Sequence, residues 1–148
     1  MSGSYYGNFY ALMPLDNAVT VAAGSAVEFP RDGPFSNIMR VSNNEFLLPA
    51  IGVYKVDFQV SVTEPGQLVL GLDSSGTGNG SIVELAYTVV GRATGTTQIV
   101  GTCLVETTVT GSTLTVLNPL GNSPALTITP IAGGTRPVSA HLVIVRLR

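Results

Sequence analysis

Residues 52–63 alternate along their whole length: Tyr54, Val56, Phe58, Val60 and Val62 fall on one side, and Lys55, Asp57, Gln59 and Ser61 on the other. Period two sustained this long predicts a half-buried β-strand. Glu64-Pro65-Gly66 breaks the run as a turn, after which Leu68, Leu70 and Leu72 resume the alternation. The same reading predicts strands near 8–13, 18–22, 26–29, 37–41, 45–48, 82–91, 96–108, 112–118, 125–129 and 137–147. Turn residues separate them: Asp32-Gly33-Pro34, Asn43-Asn44, Gly91 to Gly95, Gly111-Ser112, Gly121-Asn122 and Gly133-Gly134. No window of helical length keeps a 3.6-residue apolar period without a glycine, a proline or a β-branched run. Many short strands with Gly/Pro turns predict an all-β sandwich or barrel. No linker or internal repeat divides the chain, so one domain is expected over 8–148. Residues 1–7 read as an N-terminal arm that opens on a cloning remnant, Met1-Ser2-Gly3-Ser4.

The strand at 138–147 departs from the half-polar pattern. Ala140, Leu142 and Ile144 share one face; His141, Val143, Val145 and Leu147 share the other. A surface strand of an antiparallel sheet alternates apolar with polar residues, so a strand apolar on both sides needs cover on both. One side belongs in the core. With no helix to cover the other, a second copy of the chain is the expected cover, against the alternative of the chain's own loops. Ile99 to Val105 repeats the theme. The aromatic cluster Tyr5, Tyr6, Phe9 and Tyr10 serves either as an ordinary first core strand or as an extension of the interface.

Composition agrees with a covered surface. Charged residues make up 11% of the 148 and hydrophobic ones 45%, where roughly 25% charged is usual. The net charge is −2, and the seven basic residues are scattered from Arg31 to Arg148. That leaves no basic track for nucleic acid and no polybasic anchor for a membrane surface. The longest apolar runs, such as Leu142 to Val145, are far too short to span a bilayer, and no signal peptide is visible.

The order of features carries a family resemblance. Tyr10-Ala11-Leu12 opens the domain and Val27-Glu28-Phe29 leads into Asp32-Gly33-Pro34. Then comes Phe46-Leu47-Leu48-Pro49-Ala50-Ile51-Gly52-Val53-Tyr54-Lys55-Val56-Asp57-Phe58, and the last strand is apolar. This order, from about Tyr10 to Leu147, resembles the tumour-necrosis-factor-like jelly roll of the complement globular heads. Within that group it is most similar to the C-terminal domain of BclA-type collagen-like glycoproteins of the bacterial spore surface, the exosporium. The resemblance implies a ten-stranded jelly-roll sandwich assembling as a homotrimer. It also implies an extracellular role, in which the head caps a collagen-like stalk on a spore or cell surface and takes part in adhesion. No Gly-X-Y repeat is present in this sequence, so the stalk is implied by the family alone.

Candidate chemistry is sparse, and no enzyme is expected. The chain has one His, one Cys and one Lys. A Ser-His-Asp set would have to use His141, with no Gly-x-Ser-x-Gly elbow in the sequence; a sheet or subunit contact is the plainer role. Cys103 as a nucleophile would need a base such as His141 nearby, and a small buried thiol in a strand is the plainer reading. No spacing suits zinc, and Asp16, Asp32 and Asp73 stand apart from other calcium ligands; an ion on a trimer axis would have to gather one ligand from each chain. No cofactor is expected. Asp57, Glu64, Glu84 and Glu106 are not brought together by any motif as a glycosidase pair. Gly76 to Gly80 lacks the Lys and the helix start of a phosphate loop, and Asn79-Gly80-Ser81 matches a glycosylation acceptor.

Two functions remain in view. The first is a structural trimerisation head. The second is a ligand- or glycan-binding tip of the same shape, lectin-like or phage-fibre-like, reading its target with loops at one end of the sandwich. Its candidate loop runs over Asp73 to Gly80, read as a mobile surface segment and offering Asp73, Ser74, Ser75, Thr77 and Asn79. Loops 92–97 and 119–124 are further candidates.

Overall fold

The computed structural model describes residues 3–94, 97–121 and 125–148. Parts of the candidate loops 92–97 and 119–124, of the turns at 91–95 and 121–122, and of the polar start therefore lie outside the described residues. Twelve strands and no helix are found among them. In chain order they are β1 (Tyr6–Leu12), β2 (Thr20–Val21), β3 (Arg31–Ser36), β4 (Met39–Arg40), β5 (Phe46–Leu48), β6 (Gly52–Val62), β7 (Gly66–Asp73), β8 (Val83–Arg92), β9 (Thr97–Thr107), β10 (Ser112–Leu117), β11 (Leu126–Thr127) and β12 (Val138–Arg146). Ten of them form two five-stranded antiparallel sheets, ordered β3-β1-β12-β6-β9 and β4-β5-β10-β7-β8, and β2 pairs with β11 in a small ribbon. The chain crosses between the sheets repeatedly, which gives a sandwich, as the strand pattern predicted, of the jelly-roll kind that the resemblance implied.

The alternation set out above decides which residues meet between the sheets. Tyr54, Val56, Phe58 and Val60 of β6, Ala140, Leu142 and Ile144 of β12, and Phe9 and Ala11 of β1 point inward from the first sheet. They meet Phe46 and Leu48 of β5, Leu68, Leu70 and Leu72 of β7, and Leu114 and Val116 of β10. Aromatic contacts tie the layers: the Phe9 and Phe46 rings lie 4.8 Å apart, and Phe29 meets Phe46 edge-on at 6.0 Å. Such pairs add about 0.5–1.5 kcal/mol beyond their buried area. Opposite Phe58, β9 carries Gly101. A Cβ there would strike Cζ of Phe58 and come within 2.6 Å of its Cε1, so the ring occupies the space that a side chain would need.

Several expectations are corrected. Asp32-Gly33-Pro34 is part of β3 and makes no turn. Arg31, Asp32, Phe35 and Ser36 pair with Tyr10, Phe9, Gly7 and Tyr6 of β1, and Gly33-Pro34 falls at the register shift opposite Asn8. β3 is an edge strand, where a bulge accepts a proline without losing a ladder bond. The predicted strand at 26–29 reduces to one bridge, Ala26 to Leu117. Its backbone is satisfied piecemeal. The Val27 N–H donates to Val116 O, and the side chain of buried Asn17 both donates to Glu28 O at 2.9 Å and accepts from Glu28 N at 2.8 Å. The strand expected at 37–41 keeps only Met39–Arg40. β1 begins at Tyr6, so the sheet takes in the last two residues assigned to the N-terminal arm.

Candidate functional site

The outer face of the first sheet is laid out in rungs by the strand register. One rung reads Tyr10–His141–Gln59–Val100, the next Asn8–Val143–Asp57–Thr102, and the third Tyr6–Val145–Lys55–Leu104. The structure therefore brings His141, Val143 and Val145 onto one outward row in the middle of the sheet. Leu147 lies past the end of β12 and is exposed there. Val100 is 61% exposed, Leu104 52% and Val145 38%. Between these apolar rows β6 contributes a polar one, where Lys55 Nζ stands 3.7 Å from an Asp57 oxygen. A hollow of about 370 Å³ opens between β12, β6 and β9, walled by Asp57, Gln59, Val100, Thr102, His141 and Val143.

The second sheet contrasts with this. The outward positions Val69, Thr113 and Thr115 are buried, and β10 is buried along its entire length. Ile82 covers Gly71 from the solvent side, with the Leu117 side chain next to it. Cover by the chain's own segments thus reaches β7 and β10 of the second sheet, while among the described residues β8 keeps Val83, Tyr87 and Val89 exposed and the outer face of the first sheet stays open.

β9 is also the edge of its sheet. An edge strand of eleven residues offers unpaired N–H and C=O groups that natural proteins usually shield. Tyr87 of the neighbouring β8 donates its hydroxyl to Leu104 O at 2.7 Å and satisfies one of them, yet its ring is 68% exposed. The aromatic cluster at the start of the chain divides: Phe9 is in the core, Tyr5 packs partly against it, and Tyr6 and Tyr10 join the outer face.

The loop after β7 is tied by hydrogen bonds of its own. Asp73 is only 2% exposed. Its Oδ1 accepts from Ser75 N and its Oδ2 from Gly80 N, both at 2.9 Å. Ser75 and Thr77 bond hydroxyl to hydroxyl, and the amides of Thr77 and Asn79 donate to the preceding hydroxyls. Hydrogen bonds from the Ser75 side chain and amide, with that of Gly80, hold the Asp73 carboxyl below its ordinary range against the opposing effect of burial. Asp73 therefore closes the loop, and Ser74, Ser75, Thr77 and Asn79 are the residues presented outward.

The sequence candidates for catalysis are kept apart. Cys103 aligns with Val56 and Ile144 and points toward the core, while His141 points outward, with β6 between their strands. Burial pushes the Cys103 thiol up, with a smaller contribution from Asp57. A raised thiol is a poorer source of thiolate. Glu64 is engaged by the Thr127 amide and hydroxyl, and Glu84 accepts from Leu120 N. Among the described residues no group of three or more His, Cys, Asp or Glu side chains is placed to hold a metal ion, and no helix is long and apolar enough to cross a membrane.

No family model matches the chain, and no curated protein matches it in sequence. Solved structures do match in fold. The Eiger TNF structure from S. frugiperda aligns with a TM-score of 0.70 at 13% identity, over 99% of this chain and 94% of that one. Murine APRIL aligns at 0.64 and 13% identity over 98% and 100% of the two chains. The globular domain of the zebrafish complement 1qA protein aligns at 0.61 and 12% identity over 99% and 98%. The chain has the jelly-roll fold of the TNF-like and complement-head domains.

Proposed function

We propose that this chain is a non-catalytic, self-assembling head domain that forms a homotrimer. The observation that carries the reading is the open outer face of the first sheet, where Tyr6, Val145 and, on the long edge strand β9, Val100 and Leu104 are exposed and Val143 is half-buried. Exposed apolar residues of this kind mark a protein contact. The face of one copy and the β8–β9 edge of the next present different surfaces. Contacts of that heterologous type close into a ring when the rotation allows.

The finer placement rests on the sequence resemblance carried by residues 46–58. It puts the trimer outside the cell, at the tip of a bacterial collagen-like fibre on a spore or cell surface, with adhesion as an accompanying role. Three chains leaving such a head in register would nucleate a triple helix.

Light scattering on a sizing column at low micromolar concentration tests the assembly. A mass of three times 15.3 kDa, stable on dilution, is expected; a monomer would remove the argument from the open face. A second reading, a glycan- or receptor-binding module, is favoured by the organised loop 73–80. Glycan binding that disappears when this loop is shortened, with the trimer intact, would establish it.

A further inference from the structure

The loop that follows β7 contains the dipeptide Asn79-Gly80, the one Asn-Gly pair in the sequence. Asparagine is a labile residue, most of all before glycine, where no side chain hinders the next backbone nitrogen from reaching the carboxamide. Packing accounts for the glycine. A Cβ on residue 80 would lie 2.6 Å from the Ser75 Cβ and 2.7 Å from Asp73 Oδ1, so no larger residue fits beside that carboxylate. Asn79 is exposed, and its carboxamide has no hydrogen-bond partner among the described residues. The electrophile of the pair is therefore open to water and unrestrained.

The nucleophile is restrained. The Gly80 N–H donates to Asp73 Oδ2 at 2.9 Å, and Asp73 is only 2% exposed. The other oxygen of the same carboxylate accepts from Ser75 N at 2.9 Å, and the Asn79 N–H donates to Thr77 Oγ1 at 3.2 Å. With both oxygens engaged, the carboxylate cannot follow the Gly80 nitrogen as it turns toward the Asn79 side chain. The attacking nitrogen must also give up its proton, and a charge-assisted hydrogen bond holds that proton where it is.

We propose that Asn79-Gly80 is a latent site of spontaneous modification, a succinimide-forming pair that the Asp73 carboxylate latches in its unreacted form. When the loop opens, Gly80 N bonds to Cγ of Asn79 and the Cγ–Nδ2 bond breaks. The proton from Gly80 passes through water to the departing nitrogen, which leaves as ammonia. Water then opens the ring at either carbonyl, leaving aspartate or isoaspartate at position 79; nothing is oxidised or reduced. The product adds one negative charge to a chain whose net charge is −2, on a loop that presents its side chains outward. The isoaspartyl form also inserts a carbon into the backbone before Gly80, which moves that amide away from Asp73 and makes the opening permanent. Every group involved belongs to one chain, so the site does not depend on the trimer.

The test incubates the whole chain at neutral pH, native and in urea, and follows acid formation at position 79 and its isoaspartyl share by peptide mapping with mass spectrometry. The native protein should react more slowly than the urea-unfolded chain by about tenfold or more, the scale of one charge-assisted hydrogen bond. Asp73→Ala, shown to be folded by circular dichroism, should lose most of that protection. Hydrogen exchange in the unaltered chain is a second readout, and it remains informative if Asp73→Ala fails to fold. The Gly80 amide should be protected by a similar factor, and in sub-denaturing urea both rates should rise together, because one opening exposes both. A native rate equal to or above the unfolded one, a Gly80 amide that exchanges at the free rate, or a folded Asp73→Ala protein that reacts as slowly as the unaltered chain would overturn the proposal.

Discussion

Replacing Val143 with aspartate probes the open face at its centre. Val143 stands between Asn8 of β1 and Asp57 of β6 in the sheet register. In an isolated protomer the substitution is mild. The side chain is already partly solvated, and a second carboxylate opposite Asp57 costs about 0.2–1 kcal/mol. In the assembled state it places an unpaired charge in a dry contact, at about 3–5 kcal/mol per protomer, or about 9 kcal/mol and more for three. At about 1.4 kcal/mol per factor of ten, the dissociation constant of the trimer rises by roughly six orders of magnitude. Sedimentation velocity at low micromolar concentration should then show a monomer, and circular dichroism should show an unchanged β spectrum. Val145→Asp should behave in the same way. Leu15→Asp, an exposed apolar position on the β1–β2 loop, should leave the trimer intact. A folded Val143→Asp protein that remains trimeric would mean that this row does not carry the contact.

Three further outcomes follow from the packing and the charges. Gly101→Ala should destabilise the protein by about 1–3 kcal/mol through overpacking against Phe58, outweighing the roughly 0.5–1 kcal/mol gained by removing a strand glycine. Urea denaturation of Gly101→Ala in a Phe58→Leu background should recover most of the loss, and a full loss there would refute the contact. The carboxyls of Asp16, Glu64 and Asp73 are all held below their ordinary values of 3.8, 4.5 and 3.8. The Arg31 hydrogen bond does this for Asp16; for Glu64 burial pushes upward but is outweighed by hydrogen bonds together, those of Thr127 first; and the Ser75 bonds lead for Asp73. Depressed carboxyls bind protons more readily in the unfolded chain, so their contribution is complete above these values and is lost as pH falls through the lower folded ones. Asp73→Asn should reduce the acid-induced drop in urea midpoint, and an identical drop would refute the anchoring. Cys103, pushed up by burial, should react with a thiol reagent at pH 8 more slowly than free cysteine and at the free rate once unfolded; a native rate equal to the free one would contradict its placement.

The sandwich was legible wherever a strand has one dry face and one wet face. β6 and β12 follow their alternation over 54–60 and 140–145, because a single-residue slip would carry Phe58 or Leu142 out of the core, while Ser61 and Ser139 are buried beyond it. Legibility failed where hydrogen bonds come from outside the local sequence. Asp32-Gly33-Pro34 has the composition of a turn, but its role is set by β1, which tolerates a bulge on its outer edge. Val27-Glu28-Phe29 has the composition of a strand, but its backbone is satisfied by Asn17, Val116 and Asn43 in turn. The loop 73–80 reads as low complexity because its order depends on one buried carboxylate, and composition does not show which of a strand's last residues is buried.

The outer face was only half legible for a related reason. The apolar second face of β12 could be read from parity alone, and so could the similar character of residues 99–105. Their relation could not, because it depends on β6 lying between them, and β6 brings Lys55, Asp57 and Gln59 into the middle of the same surface. That polar row bears on how a second copy can dock. Two identical faces meeting through a two-fold axis would bring a row of Lys55 and Asp57 close to its own copy, where matching the charges requires one register. An edge carrying Tyr87, Val100 and Leu104 can instead lie along the apolar row of β12 and leave the polar row to water or to hydroxyls such as that of Thr102. The second arrangement buries more of what is apolar and less of what is charged. The distribution of side chains on this sheet therefore favours a ring of unlike contacts over a face-to-face pair.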